Sequence, residues 1–187
     1  VWSFVVNNYL LGKPLYPFDL LYWNSDSTSM PSTMHAFYLR NMYQQNKLIQ
    51  PGALKLLNNP INLSKITTPT YILATREDHI APWKSCYVAT QTYDGPCTFT
   101  LADSGHIAGV INPPSKQKYC YWTNNKLEPK PEDWFNGAKE HPGAWWPDWH
   151  EWQKTRVGKK VPARKPGNAR YKPIEPAPGR YVMKKAE

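Results

Sequence analysis

Two residues in this sequence combine the type and spacing that acid–base chemistry needs: Asp78 and His106, 28 positions apart. Asp78 lies in the charged stretch REDHIAPW (76–83), directly after the apolar run TPTYILAT (68–75). His106 lies in SGHIAGVINPP (104–114), directly after CTFTLAD (97–103). An imidazole that titrates near neutrality can take a proton from a nucleophile and return it to a leaving group. Its second nitrogen needs a partner, and a carboxylate can hold the ring in the right tautomer and stabilise the imidazolium as it forms. Such a pair serves acyl transfer or hydrolysis when a thiol or hydroxyl stands beside it. The same spacing is equally compatible with simpler roles, Asp78 capping the following helix and His106 lying on the surface. His79 is the second candidate for the base. Adjacent side chains point in different directions, so Asp78 is poorly placed to orient it.

Bringing the pair together requires alternating strand and helix. The run 68–75 is short, apolar and β-branched, as a strand covered on both faces of a parallel sheet must be. Pro82 suits the first turn of a helix, and WKSCYVATQTY (83–93) continues it with Trp83, Tyr87 and Thr90 on one stripe. Asp94 and Gly95 turn the chain into the next strand, 97–103. In an open parallel sheet this order puts both loops at one edge, outside the carboxyl ends of the strands, where chemistry collects. The fold class expected is α/β.

No nucleophile accompanies the pair. Cys86, Cys97 and Cys120 lack the flanking glycines of a nucleophile elbow. They are too few and too irregular for a disulfide framework and form no CxxC pair, so they read as half-buried thiols in a reducing, cytoplasmic protein. In α/β-hydrolases the order is nucleophile, acid, His, which places the nucleophile upstream of Val1. The chain opens at Val1 on VWSFVVNNYLLG with no initiator Met, read here as a cut. No apolar run reaches the roughly 18 to 20 residues of a membrane span, and no secretory leader is visible. The five His form no ligand cluster and there is no glycine-rich phosphate loop, so neither a metal nor a nucleotide cofactor is expected.

The flanking regions differ in character. Residues 1–60 are aromatic and amphipathic, without a clean strand pattern. Within them 33–47 reads as a half-buried helix carrying Phe37, Leu39, Met42 and Tyr43, ended by Pro51 and Gly52. Trp23, Asn24 and Asp26 are polar groups among aromatics, with a turn nucleated by Asp26 and Ser27 as the plainest role. Six of the nine tryptophans fall between Trp122 and Trp152. Pro147, followed by Asp148 and Glu151, marks a helix start, with Trp145, Trp149 and Trp152 on one face. Packing against the sheet is the ordinary use of such a stripe, and contact with a polymer or a subunit the functional one. Residues 154–187 hold 11 Lys or Arg against two acids, a net +9 that equals the charge of the whole chain. Rich in Pro and Gly, that segment reads as an extended strap.

Several composite motifs carry a family resemblance: PFDLLYWNSDST (17–28), TREDHIAPW (75–83), SGHIAGVINPP, PGAWWPDWHEW (142–152) and GNARYKPIEPAPGRYV (167–182). With these, the chain resembles the C-terminal part of the catalytic domain of class I polyhydroxyalkanoate synthases, over essentially all its length. The resemblance implies the C-terminal portion of the mostly parallel sheet of an α/β-hydrolase fold, with part of a cap subdomain. Residues 1–62 would be cap-derived, 63–153 core and 154–187 a basic strap. It implies an acyltransferase that polymerises (R)-3-hydroxyacyl-CoA thioesters into polyhydroxyalkanoate with release of coenzyme A. The nucleophile would be an upstream cysteine, and Asp78 and His106 the remaining triad members. The partners implied are the thioester substrate, the growing polyester and a second copy in a homodimer, at the granule surface in the cytoplasm, with no further cofactor. The isolated chain is then expected to be inactive and to fold poorly without neighbouring strands. Two alternatives stand beside this: a serine esterase or lipase of the same fold, and a basic tail that binds nucleic acid or an anionic surface. The tail lacks the aromatic density that base stacking uses, which counts against nucleic acid.

Overall fold

The computed structural model describes residues 5–13 and 29–184. They belong to two compact units, residues 36–161 and residues 1–35 with 162–187. Trp23, Asn24, Asp26 and the turn at Ser27 lie outside the described residues.

Among the described residues a π-helical stretch, Val5–Leu10, precedes α1 (Ser32–Tyr38), which gives way to wide π-helical turns over Leu39–Gln44 and then a 3-10 turn at Lys47–Ile49. The chain is thus helical over most of the expected 33–47 stretch, but Phe37, Leu39 and Tyr43 are exposed and only Met42 of the expected stripe is half-buried. Wide turns break the 3.6-residue period on which a single apolar stripe depends. Asn41 also inserts its side-chain amide, donating to the Phe37 carbonyl at 2.8 Å.

A small hairpin follows, with β1 (Lys55–Leu56) antiparallel to β2 (Asn59–Pro60). Leu57 and Asn58 turn it at φ of 48° and 65°, the left-handed pair that a two-residue hairpin of the favoured hand requires.

The main sheet contains β3 (Thr70–Thr75), β4 (Cys97–Ala102), β5 (Cys120–Thr123) and β6 (Lys139–Pro142), in that order. β3 and β4 are parallel, running from Thr70 opposite Cys97 to Thr75 opposite Ala102. The β4–β5 and β5–β6 pairs are antiparallel. Among the described residues the sheet is therefore mixed, not mostly parallel as expected. The cause lies in residues 103–119, which never carry the chain back to the start of β4. The Asp103 amide donates to the Cys120 carbonyl at 2.9 Å, so β5 begins where β4 ends and runs the other way.

Period-two alternation divides the sheet residues between two faces. Ile72 and Ala74 of β3, Phe99 and Leu101 of β4 and Trp122 of β5 pack with Tyr87 and Trp134 in one core. Tyr87 comes from α2 (Trp83–Tyr87), which tightens into a 3-10 turn at Val88–Gln91. Trp134 belongs to α4 (Pro131–Asn136), which follows the four-residue α3 (Ala108–Ile111). Phe99 meets Trp134 edge-on, with ring centroids 4.9 Å apart. On the opposite face Tyr71 packs against Trp145 and Trp152. Trp145 immediately precedes α5 (Trp146–Lys154) and Trp152 lies within it, with Pro147 and Asp148 in its first turn as the sequence indicates. The Tyr71 hydroxyl donates to Asp148 Oδ2 at 2.7 Å. Of the tryptophan stripe, Trp145 is buried, while Trp149 and Trp152 are half-buried.

In the other unit, residues 162–180 contain no strand or helix, and a 3-10 turn at Tyr181–Met183 follows. Their side chains are largely exposed, and Arg180 pairs with Glu175 at 2.9 Å. Among the described residues no helix is long and apolar enough to cross a membrane.

Candidate acid–base site

Parallel register brings the ends of β3 and β4 level, and backbone bonds carry the pairing past them. The Arg76 amide donates to the Ala102 carbonyl at 2.8 Å, and the Glu77 amide to the Ser104 carbonyl at 3.0 Å. Ser104 takes the left-handed conformation, φ 73°, where the chain leaves β4. Each strand tip thus presents its polar loop at one edge of the sheet, and the loops are joined through their own backbones.

Asp78 uses its two oxygens for different purposes. Oδ1 accepts from the Ile80 and Ala81 amides, both at 2.9 Å, which folds the loop back on the carboxylate. Oδ2 meets His106 Nδ1 at 2.7 Å. The helix-capping role weighed for Asp78 is not what the structure shows: α2 begins only at Trp83, after Pro82 and with no side-chain cap, and the Asp78 bonds close the loop before it. The dyad and the loop closure coexist on one side chain.

The Asp78 side chain is 8% exposed, the His106 side chain 42%. Burial pushes the Asp78 carboxyl upward, but the Ala81 amide, the His106 ring and the Ile80 amide together outweigh it and hold the group below the usual carboxylate range. An ionised carboxylate only accepts, so Nδ1 carries the proton and donates, leaving the Nε2 lone pair free to act as a base. His79 is exposed on the same loop, while the Asp78 carboxylate is engaged by His106.

Three features secure the His106 loop that sequence reasoning did not assign to it. Gly109 in α3 lies so close to its surroundings that a Cβ there would sit 2.4 Å from the Asp103 carbonyl oxygen and 2.6 Å from Thr75 Cγ2. Buried Asn112 donates from Nδ2 to the Lys118 carbonyl at 2.7 Å. The indoles of Trp145 and Trp146 both donate to the Val110 carbonyl, at 3.0 and 3.1 Å. Signals for these lay in the glycine inside GHIAGV and in the paired tryptophans, but neither names its distant partner.

The thiols are not activated. Burial and then the Asp78 charge push Cys86 up, burial alone raises Cys97, and burial followed by Asp103 and Glu140 pushes Cys120 to about 11. A nucleophilic cysteine needs the opposite displacement.

Over its whole length the sequence is 51% identical to the poly(3-hydroxyalkanoate) polymerase subunit PhaC of Cupriavidus necator. It is 48% identical to the subunit PhaC of Rhizobium etli over 99% of the chain, and 48% identical to the poly(3-hydroxyalkanoate) polymerase of Methylorubrum extorquens over all of it. The chain belongs to the poly(3-hydroxyalkanoate) polymerase family. It spans about a third of the length of these relatives, 32%, 29% and 31% respectively. No family model matches the chain. Two motifs that carry the polymerase resemblance, TREDHIAPW and SGHIAGVINPP, form the two loops that meet at this site. The mixed sheet with flanking helices is an α/β arrangement, as expected of this polymerase family member.

Proposed function

We propose that this chain supplies the acid and base of an α/β-hydrolase-fold acyltransferase that polymerises (R)-3-hydroxyacyl groups from coenzyme A thioesters into polyhydroxyalkanoate, releasing coenzyme A. The observation that carries the reading is the 2.7 Å contact between Asp78 Oδ2 and His106 Nδ1 on parallel strand tips, in a chain about half identical to named polymerases.

His106, with Nδ1–H held by Asp78, uses Nε2 to take the proton of a cysteine thiol contributed by another part of the polymerase. The thiolate adds to the thioester carbonyl, the carbon–sulfur bond to coenzyme A breaks, and His106 returns the proton to the departing sulfur. In the second half His106 takes the proton of a 3-hydroxyl group. That oxygen attacks the enzyme-bound acyl group, an ester bond forms, and the enzyme sulfur leaves with the proton. Asp78 stabilises the imidazolium in both halves, and its place beside the ring also lets it assist hydroxyl activation directly. On the same reading the whole protein works as a homodimer at the polyester granule surface in the cytoplasm, which the family resemblance supports.

In the full-length polymerase, His106→Ala is expected to lower coenzyme A release from 3-hydroxybutyryl-CoA by roughly 10³-fold or more, because only binding and oxyanion stabilisation remain. A thiol reagent reads the release. Near-normal release would remove His106 from the mechanism, and release by the unsubstituted enzyme of free hydroxy acid without polymer would favour the esterase alternative.

A further inference from the structure

The helix behind His106 is too short to hold itself in place. α3 has four residues and no side-chain cap, so its last carbonyls need partners from elsewhere. The Val110 carbonyl finds two. Both of its lone pairs are taken by indole N–H donors, from Trp145 at 3.0 Å and Trp146 at 3.1 Å. These rings stack on each other with centroids 4.3 Å apart, so the two donors form one rigid unit. Their own anchor is β3, the strand that delivers Asp78: Trp145 and Trp152 pack on Tyr71, and the Tyr71 hydroxyl holds Asp148 in the first turn of α5.

β3 therefore reaches His106 by two routes. One is direct, through Asp78. The other runs through Tyr71, α5, the indole pair and the Val110 carbonyl of α3. We infer that Trp145 and Trp146 are positioning residues for the base, a double-donor clamp on the Val110 carbonyl that holds the His106 ring at bonding distance from Asp78. This rests on the acid–base reading proposed above.

The test substitutes phenylalanine, which keeps an aromatic ring and removes the N–H, in the full-length polymerase. Each of Trp145→Phe and Trp146→Phe leaves one donor and is expected to lower kcat about threefold. The double variant leaves none and should lose about 10- to 100-fold, more than the product of the singles, with KM for 3-hydroxybutyryl-CoA within about twofold. Trp134→Phe is the control. Its indole N–H, fully buried in the core, has no hydrogen-bond partner among the described residues, so this variant should melt lower while kcat per folded molecule stays unchanged. The inference is overturned if the double variant keeps wild-type kcat, if KM rises instead, or if Trp134→Phe loses kcat to the same degree. Should the double variant not fold, Trp146→Phe at its half-buried site decides, and an unchanged kcat counts against the clamp. His106→Ala is assayed alongside. Retained activity there would sink the acid–base reading itself, whereas an inactive His106→Ala beside a fully active double variant sinks the clamp alone.

Discussion

At Asp78 the same carboxylate shapes its loop and orients a ring. Oδ1 gathers the Ile80 and Ala81 amides and Oδ2 the His106 nitrogen, so ionisation of the group is tied to the shape of the whole turn. Its folded pKa lies below the ordinary value. The stabilisation is then fully present above the unfolded carboxylate range, about pH 4, and is lost as pH falls through the lower folded value. Asp78→Asn should therefore melt below the wild type at neutral pH, with the difference shrinking in acid below about pH 4. Thermal melts across a pH series check this, and a constant difference would show that the charge is not the source. The three thiols show the reverse trend, pushed up by burial, which is why they stay outside the proposed chemistry.

At the level of elements, β3, β4 and the helix after Pro82 were legible in the sequence because each is a local pattern: an apolar β-branched run, a turn signal, a stripe at helical spacing. The length of α2 was less so, since its last residues tighten into a 3-10 turn. The reason for Gly109 was not legible at all, because the residue needs no special backbone angle. What it needs is space. A methyl group there would meet the Asp103 carbonyl and the stiff, β-branched Thr75 side chain, neither of which yields easily. Gly109→Ala is expected to lose about 1 to 3 kcal/mol of stability, in the range of overpacked sites. It should also lower kcat, because α3 must rise off β3 and take His106 with it. A melting curve and a turnover assay measure the two effects, and an unchanged Tm with full activity would show that α3 relaxes freely.

For the whole molecule, charge and chemistry are separated along the chain. Residues 1–153 balance 12 basic residues against 12 acids, and the excess of +9 lies after them, while Asp78 and His106 both lie in the unit of residues 36–161. On the acid–base reading proposed above, none of Cys86, Cys97 and Cys120, all pushed up by burial, serves as the nucleophile, and the rest of the polymerase supplies it. Purified by itself, the 187-residue chain is expected to release no coenzyme A from 3-hydroxybutyryl-CoA. Turnover that disappears on replacing Cys86, Cys97 and Cys120 by serine would show that one of them serves after all.

What could be read from residues alone was whatever repeats or terminates locally. This covers the two strands, the loops after them, the helix start at Pro147, the basic segment and the identity of the pair that could exchange a proton. Tertiary structure decided what depends on non-local partners. It decided that β5 reverses after β4, that Trp145 and Trp152 pack on Tyr71, and that two indoles close on a carbonyl 35 and 36 residues away. The physical reason is that periodicity and turn chemistry act over a few residues, whereas a hydrogen bond between distant segments forms only once packing has brought donor and acceptor within about 3 Å.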